Sequence, residues 1–198
     1  LLRATAPELE RALSTGGLPP RIFPTSAVRC ETVMMPMRDG TRLATDIHRP
    51  PLVKGPVVVV RTPYDRMGEE RAYAAALTAL ACRGYFVVSQ DVRGTGDSEP
   101  DNWDHYIYEP EDGYDCIEWI TQQPWFDGFI GAFGGSYVGQ TQWHMALHPR
   151  MTTIVPHVSG LGLGICTAHL HMFLNAYSKS VGKGADKLNF TYSELERL

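Results

Sequence analysis

The sequence predicts an α/β protein built on a mostly parallel β-sheet with helices on both faces. Three observations carry this. The runs Pro56-Val57-Val58-Val59-Val60 and Tyr85-Phe86-Val87-Val88 are apolar without alternation, the mark of strands buried on both sides. Segments with helical periodicity lie between such runs. Strand and helix then alternate along most of the chain, and that alternation brings successive strands parallel.

Taken in order, Leu1 to Thr25 holds one short amphipathic piece, Ala6 to Leu13, followed by Gly16, Gly17, Pro19, Pro20 and Pro24. Residues 1–30 are therefore expected to be an arm or linker. From Glu31 the pattern changes. Val33 to Pro36 and Arg42 to Ile47 predict two strands of a hairpin, turning at Arg38-Asp39-Gly40. Pro50 and Pro51 close it, and Pro56 to Val60 is the first buried strand. Glu69 to Arg83 predicts a helix with Tyr73, Ala76, Leu77, Leu80 and Ala81 on one face, stopped at Gly84. Tyr85 to Gln90 is the next buried strand. Asp112 is placed to cap a helix reaching Gln123, which Pro124 ends. Ile130 to Phe133 predicts a strand, Tyr137 to Leu147 a helix and Thr153 to Pro156 a further strand. Residues 31–164 thus form the expected core. Ile165 to Leu198 reads as helical without a sheet partner, and no internal repeat occurs.

Bulk properties narrow the class. A chain of 198 residues and 22.0 kDa, 43% apolar and 20% charged, can bury one substantial core. A formal net charge of −4 with no basic run argues against nucleic acid as a partner. No apolar stretch reaches the roughly 20 residues of a membrane helix, so no membrane partner is expected. Cys30, Cys82, Cys116 and Cys166 are far apart, which suits reduced thiols and a cytoplasmic setting. Secretion with a removed signal is left open.

The stretch that organises the rest is Phe133-Gly134-Gly135-Ser136-Tyr137-Val138-Gly139. An apolar run, Phe129 to Phe133, enters it and the Tyr137 to Leu147 helix leaves it, so Ser136 falls on the tight turn between them. This is the position of a nucleophile elbow. A side chain at Gly134 or Gly139 would meet the adjoining strand or helix. Helix N–H groups just beyond Ser136 would face a negative oxygen formed beside it. Val138 stands where G-x-S-x-G expects its second glycine, which comes one residue later. A glycine-rich turn with an ordinary capping serine is the alternative.

Two other segments invite functional readings. Gly94-Thr95-Gly96 suggests a nucleotide loop, but Glu99 replaces the third glycine and no Gly-Lys-Ser/Thr follows. Arg93 and Asp97 are instead expected to pin a tight loop beside the elbow strand, and Asp112 and Asp115 to be helix-start acids. Cys166, His169 and His171 have a loose metal-like spacing without a fourth ligand. Neither metal nor cofactor is expected.

Four stretches together resemble the α/β-hydrolases grouped with cocaine esterase and the X-prolyl dipeptidyl peptidases, acyl-transferring serine hydrolases. They are Met37-Arg38-Asp39-Gly40, Arg61-Thr62-Pro63-Tyr64-Asp65, Asp91 to Ser98, and Gly134 to Gln140 continuing to Trp143. The displaced glycine is the usual form in that family. The resemblance covers about Glu31 to Gly164. It implies Ser136 as nucleophile, with an oxyanion hole made by the backbone N–H of Tyr137 and the phenol of Tyr64. Taken without the family, Tyr64 reads as a tyrosine half buried at a strand end.

A serine needs a histidine to take its proton and an acid to orient that histidine, in this fold in the order Ser, Asp or Glu, His. That order cannot be completed here. His144, His148, His157, His169 and His171 follow Ser136, whereas the later acids, Asp186, Glu194 and Glu196, all come after the last histidine. His144 lies about 12 Å along the helix at 1.5 Å per residue. His157, ending the adjacent strand, is the nearest alternative base. The resembled family continues through a helical cap, further strands bearing acid and base, and a β-rich domain. The chain therefore reads as the front portion, with 165–198 the start of the cap. Its expected substrate is a small-molecule acyl ester or amide, and its expected protein partners are a second copy or a second chain completing the fold. The competing functions are a catalytically silent interaction module and an acyltransferase in a biosynthetic pathway.

Overall fold

The computed structural model describes residues 19–66, 71–104, 106–159 and 183. Ala6 to Leu13, Cys166, His169, His171 and nearly all of 165–198 lie outside them. Among the described residues, six strands form one sheet: β1 (Arg29–Pro36), β2 (Arg42–Arg49), β3 (Gly55–Thr62), β4 (Phe86–Asp91), β5 (Phe126–Gly135) and β6 (Thr153–His157). Three α-helices accompany them, α1 (Arg71–Ala81), α2 (Glu109–Thr121) and α3 (Tyr137–Met145), with a 3₁₀ turn at Thr25–Ala27.

The sheet order is β1-β2-β4-β3-β5-β6. The β1–β2 hairpin runs in register from Arg29 opposite Arg49 to Pro36 opposite Arg42, and β2 pairs antiparallel with β4. The pairs β4–β3, β3–β5 and β5–β6 are parallel. Because a βαβ connection must cross a face of the sheet, the apolar runs of β3 and β4 are covered twice. Val57, Val59 and Val88 join Cys116, Ile117 and Ile120 of α2 and Met145 of α3 in one core. Val60 and Val87 face the other way, onto Leu77 and Ala81 of α1.

Each strand runs past its predicted range at one end or both, since ladder pairing recruits flanking residues that periodicity does not mark, while β4 starts one residue later than predicted, at Phe86. The larger correction concerns α2. It starts at Glu109, with Tyr108 as N-cap and Pro110 in its first positions, so Asp112 does not cap it. Proline suits a first helical turn, where no N–H is needed. Asp112 is buried inside that turn and engaged by Arg93, whose Nε and Nη2 donate to it at 2.9 and 2.6 Å.

The 19–28 segment is tied to the end of α1, with the N–H groups of Ile22 and Phe23 both donating to the Cys82 carbonyl at 3.0 Å. Lys183 is held by the loop after β4. Its N–H donates to Gly94 O at 2.8 Å, its carbonyl accepts from Trp103 N at 3.0 Å and its ammonium donates to Ser98 O at 2.8 Å.

Candidate active site

The exits of β3 and β5 are neighbours, and the candidate residues converge there. β5 ends at Gly135 and α3 begins at Tyr137, so the whole reversal falls on Ser136, with φ 56° and ψ −125°. A non-glycine residue so placed is strained by roughly 1–3 kcal/mol and persists only where its surroundings over-determine it. They do. Ser136 N–H donates to His157 O at 2.9 Å, and Ser136 O accepts from Gly139 N and Gln140 N, each at 3.0 Å.

Gly139 answers the displaced glycine of the motif. A Cβ there would lie 2.5 Å from Ser159 Cβ and 3.0 Å from His157 O, so α3 can cross the exit of β6 only without a side chain. Buried Gln142 closes the same corner. Its Nε2 donates to Gly134 O at 3.1 Å and Val138 O at 3.0 Å, while its Oε1 accepts from Val155 N at 2.9 Å.

Tyr64 lies two residues beyond β3. Its phenol donates to Ser136 Oγ at 3.2 Å, and both residues are half-buried, so the pair is reachable from solvent. Tyr137 places its backbone N–H at the start of α3 while its side chain turns inward. The phenol, 2% exposed, donates to Glu109 Oε1 at 2.7 Å and stacks on Tyr106 with ring centroids 4.2 Å apart. Burial, reinforced by the Glu109 carboxylate, holds that phenol well above the usual range, so it stays a donor. Glu109 Oε2 meets Arg61 Nη1 at 2.6 Å, and Arg61 Nε donates to Gln90 Oε1 at 2.8 Å, with the arginine fully buried. Arg61 and Glu109 are supports that the sequence reading missed. One signal existed: a charged residue directly after Val57 to Val60 cannot be buried without a partner.

Arg93 and Asp97 pin their loop through other partners than each other. Arg93 bridges Asp39 at 2.7 Å and Asp112, whereas Asp97 meets Arg66 at 3.0 Å. The loop follows β4, which β3 separates from β5 within the sheet, and its Val92 and Trp103 pack with Tyr137 just beyond the elbow serine. Asp115 serves Arg38, accepting its backbone N–H at 2.7 Å and its Nη2 at 2.6 Å. Neither acid faces Ser136 in these contacts.

Of the histidines, His144 falls in the last turn of α3, and burial lowers its pKa. His148 Nε2 lies 3.1 Å from Glu118 Oε2. His157 is bound to Ser136 through its backbone carbonyl, and its side chain is exposed. Among the described residues, no group of three or more His, Cys, Asp or Glu could hold a metal ion, and no helix is long and apolar enough to cross a membrane.

A sheet in this order, with a strained serine at the exit of β5, an inner strand of its parallel set, is the α/β-hydrolase fold. Residues 39–166, well over half of the chain, match the X-Pro dipeptidyl-peptidase (S15) family, and the chain belongs to that family. It is 44% identical over 120 residues to the cocaine esterase of Rhodococcus sp. strain MB1 Bresler, a match covering 58% of this chain and 20% of the relative. An α-amino acid ester hydrolase structure aligns with TM-score 0.58 and 28% identity, covering 86% of this chain and 33% of that one. A CocE/NonD family hydrolase from Staphylococcus aureus aligns with TM-score 0.50 and 29% identity over 64% of this chain and 27% of that one. The chain thus spans between a fifth and a third of the length of these relatives.

Proposed function

We propose that this chain supplies the nucleophile and oxyanion hole of a serine hydrolase that cleaves a small-molecule ester or amide through an acyl-enzyme on Ser136. The observation that carries this reading is the 3.2 Å contact between the Tyr64 phenol and Ser136 Oγ at a strained turn. A phenol spent on capping a structural serine would need neither the strain nor the exposure. In the proposed reaction Ser136 Oγ attacks the substrate carbonyl carbon, and the carbonyl oxygen takes up the displaced electron pair. That oxygen is received by the Tyr64 O–H and the Tyr137 N–H, and collapse of the adduct expels the alcohol or amine. Water then releases the acid. The base that takes the Ser136 proton, and its orienting acid, lie in this reading outside the 198 residues.

An aligned donor to the developing oxyanion is typically worth about 3 to 4 kcal/mol, or a 100- to 1000-fold effect on kcat. The test uses the intact native protein with a fluorophosphonate probe and a p-nitrophenyl ester. Labelling should map to Ser136 and vanish in Ser136→Ala. Tyr64→Phe should keep the fold and lower kcat by about 100-fold. Absence of labelling in the intact protein would overturn the reading in favour of a silent interaction module. Transfer of the acyl group to a non-water acceptor would redirect it to an acyltransferase.

A further inference from the structure

Beyond Tyr64 the chain makes an unusual excursion. Tyr64 N–H donates to Thr62 Oγ1 at 3.0 Å, Asp65 takes a positive φ of 69°, and Arg66 then turns back beneath the sheet exit with its side chain 3% exposed. There it meets Asp91, the last residue of β4, whose side chain is 0% exposed. The contact is double: Arg66 backbone N–H donates to Asp91 Oδ1 at 2.6 Å, and Nη1 donates to Asp91 Oδ2 at 2.5 Å. Asp97 Oδ2 accepts from Nη2 at 3.0 Å, and Asp46 Oδ1 lies 3.1 Å from Nε. Asp91 is held in turn, since Asp97 N–H donates to its Oδ2 at 3.2 Å and Gly96 leaves room for it. A Cβ on Gly96 would come within 2.2 Å of the same oxygen.

We infer that Arg66 and Asp91 are positioning residues for the Tyr64 phenol, a clamp that sets the angle at which one oxyanion donor faces Ser136. This rests on the serine-hydrolase reading above. Three features favour positioning over a stabilising role. A buried ion pair loses in desolvation much of what it gains by attraction, so stability alone is a weak reason for it. The clamp takes hold through the backbone N–H of the residue two places after Tyr64 as well as through a side chain, which fixes the loop itself. Asp91 is also the register partner of Thr62, so the clamp ties the end of β3 to the end of β4 at the point where Tyr64 departs. Displacing a catalytic donor by about 1 Å can cost on the order of 100-fold in rate.

The experiment is a double-mutant cycle in the intact native protein, comparing wild type, Tyr64→Phe, Asp91→Asn and the double variant. Each is assayed for kcat and KM on a p-nitrophenyl ester, for fluorophosphonate labelling of Ser136 and for thermal unfolding. Asp91→Asn alone should lower kcat by about 10- to 100-fold with KM little changed, and by less than about threefold where Tyr64 is already Phe. Equal losses in both backgrounds, or no loss in either, would overturn the inference. Where Asp91→Asn fails to fold, Arg66→Lys, which keeps the charge but gives up the forked contact, is read in the same cycle with the same two outcomes. The two levels separate cleanly. A parent protein that neither labels nor turns over ester refutes the hydrolase reading and this inference with it, whereas normal turnover with an additive cycle refutes the clamp alone.

Discussion

Ser136 is held against its own backbone preference, and that has a measurable cost. Glycine adopts φ 56° readily, so Ser136→Gly should raise stability by about 1 kcal/mol while abolishing probe labelling, as read from the urea midpoint and intact mass. Ser136→Ala keeps the strain and should leave stability within about 0.5 kcal/mol of the parent. Opposite responses of stability and labelling would mark a residue whose conformation serves its position rather than the fold. Cys116 shows the reverse. Fully buried on the inner face of α2, its thiol is pushed up to about 12 by desolvation, so it should resist alkylation in the native state and react only after unfolding. Ser136 was legible from its glycine neighbours, and Tyr64 only from the family resemblance, because one tyrosine after a buried strand carries no local mark of its target.

Among the elements, α2 and β3 depend on each other through charge. Arg61 and Glu109 are 0% and 5% exposed at their side chains and meet at 2.6 Å, while Asp112, the arginine's other carboxylate, lies farther off at 3.8 Å. Removing one partner of such a pair leaves an uncompensated buried charge, so Glu109→Ala should destabilise by about 3–5 kcal/mol in urea unfolding. Arg61→Met combined with Glu109→Leu should lose less than Glu109→Ala alone, because no charge is stranded. Tyr137 loses its phenol partner in either case, which couples the elbow helix to the same measurement. The misplaced start of α2 has its origin here. Asp112 has the residue type of a cap, yet Arg93 and the nearby Arg61 draw it into the helix, and Pro110 carries the first turn instead. Cap preference is local and weak beside a forked contact with a buried arginine.

In the molecule as a whole, the hairpin turn at one end of the sheet is fastened to α2 and to the loop after β4 by ion pairs. Arg38 reaches Asp115, while Arg93 joins Asp39 to Asp112. The hydrogen bond from Arg93 lowers the Asp39 carboxyl from 3.8 to about 2. Its contribution is therefore present above 3.8 and is lost as the pH falls through 2, below which folded and unfolded chains become equally protonated. Asp39→Asn should flatten the loss of stability across that acid window and leave the slope above about pH 5 unchanged, as followed by urea unfolding at several pH values. Periodicity and glycine placement were enough to read the parallel sheet, the elbow and its serine, because burial on two faces and a sharp reversal each leave a signature within a few neighbouring residues. Partner choice was settled only by folding. Arg66 meets Asp91 across 25 residues, Tyr137 meets Glu109 across 28, and Arg61 meets Glu109 across 48, and a charged or phenolic side chain looks the same in sequence whichever of many opposite groups the fold brings to it.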